Sequence, residues 1–251
     1  MRKRKMIVLV GGSFLLIAIG LSALGAVVKH EPNFYRQNET PPGEARKELG
    51  YAFLTQFAQM LADRTAGRET WSCDVTEAQV NCFFEEIFVQ QGEAEGLRSL
   101  GISSPRVTFE DPPLDADGNP ERGGFARLAF RYGSGWFSTV ISYQLKIWLV
   151  PREANTIAVE IQSARAGALP ISKQSILNQL ADYARKQNFK VNLYRHDGNP
   201  VALIDLDGDQ PHPRSRTTEL QISANSLKIR GQTLEHAVAA PDPTKFKSPR
   251  Q

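Results

Sequence analysis

Phe137-Ser138-Thr139-Val140-Ile141-Ser142-Tyr143-Gln144-Leu145-Lys146-Ile147-Trp148-Leu149 is the stretch on which the fold turns. Phe137, Thr139, Ile141, Tyr143, Leu145, Ile147 and Leu149 share one parity, while Ser138, Ser142, Gln144 and Lys146 hold the other. Side chains alternate faces along a strand, so this is one long strand with an apolar and a polar side. Ile157, Val159 and Ile161 repeat the pattern beyond Pro151-Arg152-Glu153-Ala154-Asn155, a connection of hairpin length. Leu128, Phe130 and Tyr132 supply another strand on the amino side, and Arg106 to Glu110 a shorter one. Further strands are expected at Lys190–Arg195, Val201–Leu206, Leu220–Ile222 and Leu227–Ile229.

Helical periodicity brackets these strands. Leu49, Phe53, Phe57, Met60 and Leu61 recur at intervals of three and four across Glu44 to Thr65 and predict an amphipathic helix whose apolar face must pack. After an extended piece at Trp71 to Val75, Thr76 caps a second helix to about Phe88, with Gln79 completing a capping box. Ser172 starts a third, running to about Gln187. Helices grouped before and between hairpins, rather than after every strand, indicate an α+β fold with an antiparallel sheet. Strands this long are expected to coil, giving a curved sheet packed on two or three helices.

The amino end has a different character. Met6 to Val28 is an uncharged apolar run. As a helix at about 1.5 Å per residue it spans roughly 34 Å, against a hydrocarbon core of about 30 Å. Arg2, Lys3, Arg4 and Lys5 precede it and predict a cytoplasmic amino terminus with the rest outside. A cleaved signal peptide competes, because Ala23-Leu24-Gly25 offers small residues, but the run is longer than a signal-peptide core and favours an uncleaved anchor. With Lys29 these cations exceed the whole net charge of +3, leaving the remainder slightly acidic and giving no reason to expect nucleic acid. The expected organisation is a basic tip at residues 1–5, a transmembrane anchor at 6–28, a linker at 29–43, an α+β ectodomain at 44–236 and a disordered tail at 237–251. The expected location is the cytoplasmic (inner) membrane, as a single-pass signal-anchor protein with an extracytoplasmic, periplasmic ectodomain.

Trp71, the run Thr76-Glu77-Ala78-Gln79-Val80-Asn81, and Gly167-Ala168-Leu169-Pro170-Ile171-Ser172 ahead of a helix resemble uncharacterised single-pass bacterial envelope proteins built as anchor, helix and curved sheet. The Thr-Glu-x-x-x-Asn helix start before long strands is also similar to bacterial relatives of the tubular lipid-binding (TULIP-like) proteins. That resemblance implies a curved sheet around a helix enclosing an apolar groove, and no catalytic residues.

Catalytic chemistry finds little support in the residues. Of His30, His196, His212 and His236, only His196 stands in an ordered place, directly after the expected strand Lys190–Arg195, and no serine sits in a Gly-x-Ser-x-Gly turn. Asp205, Asp207 and Asp209 around Gly208 lack the order and distal Glu of a calcium loop, and phosphate-binding glycine motifs are missing, so no metal or cofactor is expected. Arg127, Arg131 and Lys146 can share the polar face of the sheet. Cys73 and Cys82 would lie in an oxidising compartment, where a disulfide between them competes with two buried thiols. The expected function is therefore non-enzymatic binding of a lipid-like or other apolar ligand. Its groove would be lined by Phe83, Phe84 and Ile87 from the helix and by Phe137, Ile141, Tyr143, Leu145 and Ile147 from the sheet. The alternative is an envelope scaffold with a filled core that acts through other envelope proteins.

Overall fold

The computed structural model describes residues 27–37, 40–88, 101–114, 117–119, 121–135, 138–151, 153, 155–186, 190–206 and 215–234. The chain is α+β, with a large antiparallel sheet and few helices. Among the described residues no helix is long and apolar enough to cross a membrane; the run expected to do so lies outside them except for Val27 and Val28.

The decisive stretch forms β4 (Thr139–Leu149), flanked by β3 (Gly124–Tyr132) and β5 (Thr156–Ala166). With β2 (Ile102–Glu110), β7 (Lys190–His196) and β8 (Asn199–Asp205) they run in the order β2-β3-β4-β5-β8-β7, and the short β6 (Leu169–Pro170) pairs with β5. The remaining strands do not join this sheet. β1 (Thr70–Thr76), β9 (Ser215–Ser223) and β10 (Ser226–Thr233) make a separate three-stranded sheet in the order β1-β10-β9. The single sheet suggested by the periodicity is thus two.

One face of the large sheet is apolar and is covered in two portions. Helix α4 (Lys173–Lys186) lays Leu177 and Ala181 on Tyr143, Ile161, Ala164, Val191 and Ala202. The small sheet covers the other portion, with Ile222, Leu227 and Ile229 meeting Val107, Phe109, Ala126 and Ile147. At the contact Gly124 is obligatory, since a Cβ there would stand 2.5 Å from the Ile222 side chain. Within the small sheet, Trp71 lies across its register partner Gly231 so closely that a Cβ would come within 2.0 Å of the indole.

Helix α2 (Glu44–Thr65) has the predicted bounds but not the predicted burial. Met60 is buried and Phe53 packs beside the core, whereas Phe57 and Leu61 are 39% and 42% exposed. The expected linker also contains structure. Helix α1 (Asn33–Gln37) lies on the outer face of the large sheet, where Tyr35 is buried beside Ala129 and Val140 and Arg106 donates to the Tyr35 carbonyl.

Two side-chain amides join the units. Helix α3 (Glu77–Phe83) starts with the predicted capping box and continues as a π-helical turn to Phe88. It runs along β2, which ends the strand order of the large sheet and has a strand on one side only among the described residues. Asn81 donates to the Val107 carbonyl at 2.9 Å and accepts the Val107 N–H at 2.8 Å, while Glu77 accepts the Phe109 N–H at 2.7 Å. The amide thus stands in for a peptide group of a missing strand, and buried polar groups that would otherwise be costly are paired. At the β4–β5 hairpin, Asn155 does the same for the small sheet. It donates to the Ser215 carbonyl and accepts the Thr217 N–H, each at 2.6 Å.

Candidate functional site

Between the parts of the apolar face covered by α4 and by the small sheet lies a cleft of about 400 Å³. Leu128, Leu145, Ile147, Val159 and Ile204 of the large sheet form its floor. Leu220, Ile222, Leu227 and Ile229 of the small sheet form its roof, and Val80 and Phe84 close one end. All its lining side chains are hydrocarbon. The space follows from the architecture: two covers, a helix and a sheet, rest on different parts of one floor, and the Asn81 and Asn155 contacts fix where the second stands. Leu128, Leu145 and Ile204 also border the core beneath α4, so the cleft is continuous with that core.

Such a space has no polar partner for water and favours an apolar occupant. At about 30 Å³ per water-sized group it admits roughly 13 such groups. Filling it with methylenes yields a gross transfer gain of about 10 kcal/mol. Association costs are of similar size, about 4–15 kcal/mol, so a ligand must fill most of the slot to be retained.

The residues expected to line a groove divide in the structure. Phe84, Leu145 and Ile147 line the cleft. Ile141 and Tyr143 pack instead in the filled core beneath α4, where burial pushes the Tyr143 hydroxyl up to about 12. Phe83 turns toward α2, its ring centroid 4.7 Å from that of Phe53. Phe137 and the Ile87 side chain lie outside the described residues. The gap was expected between helix and sheet; it lies between two sheets, with the helix only at its end. Its roof residues, Leu220/Ile222 and Leu227/Ile229, show a strand's alternation, which marks an apolar face but not the wall of a cleft.

Cys73 and Cys82 are free, buried thiols on β1 and α3, so the bridge that competed with this arrangement is not formed. Burial raises both pKa values, with Asp74 adding to the rise at Cys73. Neither is poised as a nucleophile.

His196 is held by carboxylates. Its Nδ1 is 3.2 Å from Glu160 and its Nε2 3.8 Å from Asp197, and Glu160 also accepts from Asn199 at 2.6 Å. No hydroxyl or thiol is hydrogen-bonded to the ring among the described residues. Asp207, Asp209, His212 and His236 lie outside those residues, whereas Asp205 ends β8. Arg127, Arg131 and Lys146 do share the outer face, each 2.6 Å from a carboxylate, of Glu110, Glu31 and Glu121 respectively. No family model, curated protein or solved structure matches the chain.

Proposed function

We propose that the protein is a non-enzymatic, membrane-anchored binding module whose extracytoplasmic domain holds a lipid-like or other apolar ligand between its two sheets. The observation that carries the reading is the wholly hydrocarbon cleft of about 400 Å³, within the usual range of small-molecule sites. The basic tip and apolar run Met6–Val28 support anchoring in the inner membrane, amino end inside. The likeness of the Thr76–Asn81 and Gly167–Ser172 motifs to single-pass envelope proteins agrees with that placement.

The test is native mass spectrometry of the full chain released from detergent, followed by solvent extraction. The expected result is a discrete adduct that extracts as lipid and is lost in Val159→Phe, which fills the floor without adding a polar atom. An apo mass for the wild-type chain, or an adduct unchanged by Val159→Phe, overturns the assignment.

One observation favours a second reading, an envelope scaffold. Tyr51, Leu54, Phe57 and Leu61 on α2 are 51%, 40%, 39% and 42% exposed, an apolar surface that a partner protein would cover. In that case sedimentation velocity shows a concentration-dependent assembly that Leu54→Glu abolishes, with no dependence on the cleft.

A further inference from the structure

We propose that the outer face of the large sheet carries a second site, for a phosphodiester anion, centred on Arg165. A cleft of about 420 Å³ lies there, on the face opposite the apolar slot, and α1 with the preceding turn forms its rim. Its floor is set by register. Arg127, Gln144 and Ser163 stand abreast on β3, β4 and β5, and Ser142 and Arg165 stand abreast in the next row.

A β-bulge creates this composition. Ile161 pairs with Leu145 but Ser163 pairs with Gln144, so one extra residue, Gln162, interrupts β5. Ile161 and Arg165 have the same parity and in a regular strand would share a face. The bulge keeps Ile161 in the apolar core, 1% exposed, and re-aims Ser163 and Arg165 to the outer side.

The second observation is unused hydrogen-bonding capacity. The other prominent cations of this face, Arg127, Arg131 and Lys146, are matched with acids. Arg165 has no carboxylate or hydrogen-bond partner among the described residues, and the side chains of Ser142, Gln144 and Ser163 likewise bond nothing among them. Four polar side chains on two adjacent strands thus converge on one concavity, around a guanidinium that no carboxylate pairs among the described residues. A guanidinium fork with hydroxyl and amide donors is the chemistry that holds phosphate oxygens. One uncompensated cation matches the single charge of a phosphodiester, and the cleft has room for the groups esterified to it. The rim, His30 to Phe34, follows directly on the apolar run Met6–Val28, so the proposed anchor would place the cleft within reach of bilayer headgroups as well as of soluble phosphodiesters.

The test uses the full chain in a neutral maltoside detergent and isothermal titration with three probes: glycerophosphoglycerol, dihexanoylphosphatidylglycerol and dihexanoylglycerol, which has no phosphate. The expected result is binding of a phosphodiester probe that Arg165→Gln weakens at least tenfold. Gln144→Glu, which places a carboxylate in the floor, should do the same and decides the matter if Arg165→Gln fails to fold. Binding of the deacylated probe identifies a soluble source, and binding of the acylated phosphodiester alone identifies a bilayer lipid. The proposal is overturned if neither phosphodiester binds, or if binding survives both variants. Binding abolished by Val159→Phe but not by the outer-face changes would assign the probe to the apolar slot, so the two sites fail separately.

Discussion

Replacing Asn81 by alanine removes both halves of the amide pair that occupies the β2 edge. The Val107 N–H and carbonyl, at 2.8 and 2.9 Å from an Asn81 side chain that is 3% exposed, lose both of these hydrogen bonds together. At about 1–3 kcal/mol for each buried hydrogen bond broken by truncating one partner, the expected loss is about 2–6 kcal/mol, a large part of the roughly 5–15 kcal/mol that stabilises a folded chain. At about 2–4 °C per kcal/mol for a chain of this size, the midpoint should fall by roughly 4–24 °C. Asn81→Asp should be no milder, because it keeps the acceptor but loses the donor and buries a carboxylate facing a carbonyl. The comparison is Gln79→Ala, which dismantles only the reciprocal half of the capping box and should cost about 1 kcal/mol. Urea unfolding followed by tryptophan fluorescence gives the energies, and amide hydrogen exchange at Val107 gives the location. An Asn81→Ala protein that loses no more than Gln79→Ala, with the Val107 amide still protected, would refute the assignment of edge-sealing to this side chain.

Three further outcomes follow from the packing. Gly231→Ala must displace the buried Trp71 indole and should cost about 1–3 kcal/mol, read as a lowered melting point with a red-shifted tryptophan emission. Tyr143, 6% exposed, has a folded pKa raised to about 12 from 10.0. Its contribution to stability is therefore complete below pH 10 and is lost as pH rises toward 12. The loss amounts to about 3 kcal/mol at 1.36 kcal/mol per unit, and Tyr143→Phe should flatten that part of the urea-midpoint profile. Asn155 combines three hydrogen bonds to Ser215 and Thr217 with φ of 60°. Asn155→Ala should therefore be worse than Asn155→Gly by about 1 kcal/mol in thermal unfolding, since only glycine relieves the backbone.

The long strands and helices were legible because burial on one face imposes a period of two or 3.6, and α2 and β4 to β5 stand close to where that period puts them. Partition into two sheets was not, because Leu220 and Ile222 look alike whichever sheet they pair in; only long-range register decides it. The β7–β8 hairpin carries a local signal in its sequence: Asp197-Gly198, with φ of 49° and 80°, has the positive values a tight hairpin turn requires. Asn81 and Asn155 escaped because an amide that imitates a peptide group leaves no periodic trace. The bulge at Gln162 escaped because it shifts parity without changing composition. For the candidate site, Leu145 and Ile147 were readable as an apolar face, but whether that face is filled, as at Tyr143, or left open, as at Ile147, depends on where the covering elements stop.

The pairing of β1 with β10 also governs when the protein can become itself. Thr70 is matched with Gln232 and Thr76 with Ser226, so β1 leaves the ribosome roughly 150 residues before the strand that pairs with it. At about 5–20 residues per second that interval is about 10–30 s. Throughout it Trp71, Cys73 and Val75 have no strand beside them, while β2 to β5 can already zip as successive hairpins. Maturation is thus timed by the carboxyl end: a chain stopped before Ser226 could assemble the floor but never close the roof, and the cleft between them is the last feature to form.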